Sequence, residues 1–183
     1  MTAAIFLTGL FGLAASAPAL AASTTPTHGS SLHEALESYI AIGDDLAGAS
    51  VKEVPDDARN MLVALNAVRD DASSAPHMGH GTAADMEAAH ASMRTALQVL
   101  SADDVDIEAA RQAYKDLSAE FVTMAQSMYS PQPDDPKWEV MTCPMAHAEW
   151  IQVDGPVANP FLDTSMKTCG KPVSALRSEG VAQ

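Results

Sequence analysis

Apolar residues recur along this chain at steps of three and four in four separate stretches. Leu32, Leu36, Tyr39, Gly43 and Leu46 mark the first, a spacing that lays them on one face of a helix. Pro55 opens the second, with Asp56 and Asp57 in a first turn where the helix dipole favours carboxylates. Its inward face is Ala58, Met61, Leu62, Leu65 and Val68. Residues 73–81 read as a loop, marked by paired serines, Pro76 and two glycines. Thr82, with Asp85 three residues on, resembles a capped start for a third helix, whose stripe is Met86, His90, Met93, Leu97 and Leu100. The fourth begins near Asp104 and has the cleanest repeat, Ile107, Ala110, Tyr114, Leu117, Phe121, Met124 and Met128.

Pro131, Pro133 and Pro136 end the helical region. From Trp138 onward the composition changes: both tryptophans, both cysteines, and short extended pieces over 139–142 and 150–153. This C-terminal part is too small to fold alone and must pack on the helices. The pattern predicts an all-α fold, an antiparallel four-helix bundle over 32–130 with a small irregular Cys/Met-rich lobe over 131–173. Residues 23–31 are expected as a flexible lead-in and 174–183 as a frayed tail.

The first 22 residues hold no charge, and Ile5 to Ala15 form a short apolar run. Pro18 breaks the run, and Ala19-Leu20-Ala21 supplies small residues where a signal peptidase cuts. Residues 1–22 therefore read as a secretory signal, although no Lys or Arg precedes the apolar run. The run falls short of the ~20 residues a membrane-spanning helix needs. The expected location of the mature protein is a bacterial periplasm, with no membrane span.

Composition refines this picture. Hydrophobic residues make up 47% of the 183 positions while aromatics supply only 5%, a balance that suits closely packed helices. The net charge is -14, from 24 acidic against 10 basic residues. A chain so charged repels the phosphates of nucleic acid. Catalytic signatures are missing: there is no Gly-x-Ser-x-Gly, no phosphate-cradling glycine loop and no His-Glu-x-x-His. No enzymatic activity is expected.

The two cysteines sit in two short clusters, Cys143-Pro144-Met145-Ala146-His147 and Met166-Lys167-Thr168-Cys169-Gly170. Thiolate, thioether and imidazole form the ligand set preferred by a soft metal, Cu(I) above all, with Ag(I), Cu(II) or zinc behind it. In a strand, Cys143, Met145 and His147 would project together; Met166 and Cys169 would share one side of a helical turn. Trp150 or Trp138 would shield the ion. The same cysteines permit a Cys143–Cys169 disulfide, favoured by an oxidising compartment. Such a bridge would stabilise the fold by roughly 3–4 kcal/mol in the chain-entropy account. Both readings stay open on the sequence. The disulfide reading makes the chain a locked interaction or scaffold domain that docks on an envelope partner.

A second candidate metal site is His77, Met78 and His80, with His90 following on the third helix. Met86, His90 and Met93 share the stripe that faces the core, so packing competes with ligation there.

Several of these segments together resemble an uncharacterised bacterial exported domain family. They are Ser38-Tyr39-Ile40 through Asp45-Leu46-Ala47, Asp106 to Arg111, Leu117-Ser118, Cys143 to Ala146, Trp150, Asn159-Pro160-Phe161, and Met166 to Gly170. The family occurs alone or appended to periplasmic adaptor subunits of heavy-metal efflux pumps, and the resemblance covers about residues 32–173. Two departures lie beside the cysteines: a shortened spacer carrying His147 before Trp150, and Leu162 to Ser165 where the family has a glycine. The resemblance implies heavy-metal handling, with an efflux adaptor or another periplasmic copper protein as partner.

Overall fold

The computed structural model describes residues 28–74 and 83–177. Four helices, α1 (His28–Ala47), α2 (Val54–Ser74), α3 (Ala83–Leu100) and α4 (Ile107–Met128), precede three strands, β1 (Trp138–Cys143), β2 (Ala148–Val153) and β3 (Lys171–Ala175). The helices pack in chain order, each on the next, and α4 returns to α1. No described helix is long and apolar enough to cross a membrane.

The stripes read from the sequence are buried along most of their length. Leu36, Tyr39, Leu46, Met61, Leu65, Leu97, Leu100, Tyr114, Leu117 and Phe121 are all fully enclosed. Met86 departs from its stripe and is exposed, lying in the first turn of α3. Helix boundaries shift by a few residues. α1 begins at His28, inside the expected lead-in, α2 runs on to Ser74, and α4 starts at Ile107. There the Asp106 carboxylate caps the helix by accepting the Ala109 N–H at 2.8 Å.

Polar and aromatic contacts hold α1 against α4. The Tyr39 ring stacks on Tyr114 and Phe121, with centroids 4.8 and 4.7 Å apart. The Tyr39 hydroxyl bonds to Ser118 Oγ at 2.7 Å, Ser118 donates to the Tyr114 carbonyl at 2.7 Å, and the Tyr114 hydroxyl donates to the Tyr39 carbonyl at 3.1 Å. Every hydroxyl in this buried set has a partner, as a low-dielectric interior demands. Burial pushes the Tyr39 phenol up to about 12, so the set stays neutral.

The expectation of an all-α four-helix bundle is corrected. The chain is mixed α/β, because the C-terminal region forms a three-stranded antiparallel sheet in the order β2-β1-β3. The extended pieces noted after Trp138 are strands β1 and β2, paired from Trp138↔Val153 to Cys143↔Ala148. β3 falls partly in the expected frayed tail. Ser174 pairs with Val140, Ala175 pairs with Glu139, and Leu176 is buried with its N–H on the Trp138 carbonyl.

Both faces of the central strand are covered. Side-chain alternation puts Trp138, Val140 and Ile151 on one face and Met141, Cys143, Trp150 and Gln152 on the other, and all seven are buried. The first face meets the helices, where Trp138 packs on His33 of α1 and on Tyr129 just past α4. The second lies under the loop over 154–170. Gln152 accepts the Ala158 N–H and donates to the Pro156 carbonyl. Phe161 touches both Trp150 and Tyr114, so the loop joins the sheet to α4.

Candidate functional site

The Cys143-Pro144-Met145-Ala146-His147 segment is the β1–β2 hairpin rather than a continuing strand. Cys143 ends β1, and residues 144–147 form a four-residue turn. Pro144 presets the first turn torsion, and His147 takes a positive φ of 49°, a conformation histidine tolerates better than branched residues. The expectation that Cys143, Met145 and His147 project together is thereby corrected. Cys143 is fully buried, Met145 is 62% exposed, and His147 is exposed on the far side of the turn.

The second cluster forms a tight turn. The Cys169 N–H donates to the Met166 carbonyl at 2.8 Å, and both residues are half-buried. Gly170 follows with φ of +152°, and a Cβ there would fall 2.5 Å from Trp150 Cη2. Trp150 thus presses on the residue after Cys169. Trp138 sits at the opposite end of β1, roughly 17 Å away at strand rise, and shields nothing at the cysteines.

The two clusters meet. Cys143 Sγ and Cys169 Sγ lie 2.9 Å apart, unbonded, across a sequence separation of 26. Asn159, itself fully buried, braces the 154–170 loop from within: Nδ2 donates to the Cys169 carbonyl at 2.7 Å, and Oδ1 accepts the Phe161 N–H. The Ala146 N–H points at Cys143 Sγ from 3.4 Å. Lys115 of α4 donates to the Ala146 carbonyl at 2.6 Å and fastens the hairpin to the helix.

These donors settle where a thiolate forms. Burial alone would push the Cys143 thiol up. Hydrogen bonds from Cys169, from the Ala146 and Met145 N–H groups and from Asn159 outweigh it, and hold Cys143 below the ordinary thiol range. Cys169 is raised, chiefly by the same shared hydrogen bond, then by burial and by the charge on Cys143. Of the pair, Cys143 is therefore the sulfur that ionises first.

A groove of about 580 Å³ runs alongside, between α4 and the hairpin. Lys115, Val122, Cys143, His147 and Glu149 are among its lining residues. His147 faces this groove, not a shared ligand plane with Met145.

Whether a metal fits can be judged from the sulfurs. Taking a Zn–S bond of ~2.3 Å as a guide, one ion held by both sulfurs sets them roughly 3.7–4.6 Å apart. The thiols must therefore part by about an ångström or more, through side-chain rotation or a yield in the 166–170 turn. Among the described residues no three His, Cys, Asp or Glu side chains converge as a cage. A metal held here would rest on the two thiolates, soft donors that suit Cu(I) better than a closed four-ligand zinc site.

Of the second candidate site, His77, Met78 and His80 lie outside the described residues. His90 is buried between α2 and α3. Neither of its ring nitrogens completes a hydrogen bond, although the Leu65 carbonyl lies close enough to favour a proton.

Sequence reasoning missed Asn159 and Lys115 as parts of the site. Asn159 stood in the Asn-Pro-Phe segment of the resemblance, a usable signal, whereas Lys115 sits on a helix among other polar residues with nothing to mark it. No known protein family, curated protein or solved structure matches the chain.

Proposed function

We propose that this chain binds a soft metal, Cu(I) first and Ag(I) after it, for buffering or handover in the periplasm. The observation that carries the reading is the meeting of Cys143 and Cys169, their sulfurs 2.9 Å apart beneath the 154–170 loop. The N–H groups around Cys143 favour its thiolate, the form that ligates metal. Met145 on the exposed turn and Met166 beside Cys169 are the thioethers nearest in sequence, and one of them completes a three-coordinate site. His147 would join only if the turn rearranged. Zinc and Cu(II), which prefer more nitrogen or more ligands, rank below.

The resemblance to domains appended to heavy-metal efflux adaptors supports the same reading and suggests such an adaptor, or another copper protein, as partner. The test is a Cu(I) competition titration on the reduced full chain. Cys143→Ser or Cys169→Ser should weaken binding by several orders of magnitude with helicity unchanged. Equal affinity in the double serine variant would overturn the proposal.

A further inference from the structure

We propose that Cys143 and Cys169 are also a dithiol–disulfide exchange site, whose substrate is a small-molecule disulfide of the glutathione class. The consequence for metal rests on the copper reading above, but the exchange does not. Geometry carries the proposal. Cys143 is anchored as the last residue of β1, paired with Ala148. Cys169 is anchored through its carbonyl on Asn159 and its N–H on the Met166 carbonyl. With both backbones held, the sulfurs at 2.9 Å stand within about an ångström of the ~2.05 Å of a disulfide.

Exposure sets the order of events. Cys169 is half-buried and Cys143 wholly buried, so an incoming disulfide meets Cys169 first. Cys169 passes its proton to Cys143 and attacks one sulfur of the substrate, the substrate S–S bond breaks, and the departing thiolate takes that proton from Cys143. Cys143 then attacks Cys169 Sγ in the mixed disulfide and expels the second small thiol. Two electrons pass from the protein dithiol to the substrate, leaving a Cys143–Cys169 disulfide and two small thiols. The lone pairs that would bind a soft ion are then tied to a sulfur–sulfur bond, so the oxidised chain releases its metal.

The test uses the metal-free full chain in glutathione buffers of graded oxidised-to-reduced ratio, quenched by alkylation and read by mass spectrometry. The expected product is lighter by two hydrogen atoms and carries no glutathione. Cys143→Ser should stop at a glutathione adduct on Cys169. Cys169→Ser should form its adduct on Cys143 about tenfold more slowly or worse, because that sulfur is enclosed. Two independently alkylated thiols, or a wild-type chain with glutathione on each cysteine, would overturn the proposal. So would faster adduct formation on Cys143 than on Cys169. A second arm adds Cu(I) to the oxidised and re-reduced forms. Clean exchange in a chain that takes no Cu(I) when reduced sinks the copper reading and leaves the exchange site standing. Full Cu(I) binding without exchange does the reverse.

Discussion

Lys115 Nζ on α4 and the Ala146 carbonyl in the hairpin lie 2.6 Å apart, and the N–H of that same alanine points at Cys143 Sγ. A helix cation is thus joined to the buried sulfur through a single residue. Replacing Lys115 by Met should cost about 1–2 kcal/mol of stability, the usual loss for a partly buried charge-assisted hydrogen bond. It should also raise the pH at which the thiolate absorbance of Cys143 appears, and Lys115→Arg should restore much of both. A Met variant with unchanged denaturation and an unchanged thiolate titration would show that the clamp is idle.

Gly43 faces Tyr114 across the α1–α4 contact. A Cβ at position 43 would sit 2.6 Å from the Tyr114 hydroxyl oxygen and 3.2 Å from Cζ, and the ring has no free space to retreat into. Gly43→Ala should therefore destabilise by about 1–3 kcal/mol through overpacking. Most of that loss should disappear when the substitution is made in a Tyr114→Phe background, where the clashing oxygen is gone. Equal losses in both backgrounds would place the cause elsewhere.

Gly170 matters for the cysteine it follows. An alanine there would meet Trp150 Cη2 at 2.5 Å and the Thr142 carbonyl at 3.2 Å, in a backbone conformation that L side chains rarely adopt. Gly170→Ala should displace the 166–170 turn, speed alkylation of Cys169 and reduce the yield of the intramolecular disulfide. Unaltered alkylation kinetics would rule out this role.

Acid should loosen the fold in two steps. Burial holds the His90 imidazole below its ordinary range, assisted by Arg69 and Arg94 and opposed by Glu87. The unfolded chain therefore binds this proton more readily, and stability should fall as pH drops below about 6.5. His90→Leu should remove this step and, since neither ring nitrogen completes a hydrogen bond, leave neutral-pH stability intact or higher.

The second step belongs to Asp135. Burial opposes its charge, but hydrogen bonds from the Tyr129 hydroxyl at 2.5 Å and the Gln132 N–H, with His33 nearby, hold it below the ordinary carboxylate range. Its contribution is present above about pH 3.9 and is lost as pH falls through the depressed value. Denaturation midpoints followed against pH should show both steps, and Asp135→Asn should abolish the lower one.

How legible this was in the chain differs between its two parts. Leu36, Tyr39 and Leu46, or Tyr114, Leu117 and Phe121, lie on one-sided helices, and burial of one side writes a period of three and four into the sequence. β1 left no such mark. With Val140 against the helices and Met141 under the 154–170 loop, both of its faces are apolar and alternation is erased. β3 was hidden for the opposite reason: Lys171, Pro172, Val173 and Ser174 are all exposed, and only pairing to β1 makes them a strand. The meeting of the cysteines was open to the sequence, since the metal and the disulfide readings both require it, while the turn that separates Met145 from Cys143 was not. Pro144 was the signal for it. Asn159 and Lys115 act through individual hydrogen bonds, which leave no periodic trace.

β3 follows Cys169 almost at once and pairs with the strand that carries Cys143. A nascent chain can therefore bury much of its helical core while β1 still lacks one neighbour. Until synthesis has passed Leu176, the cell holds a half-made protein with two unmatched thiols. Wrong pairings stay open to both sulfurs during that interval.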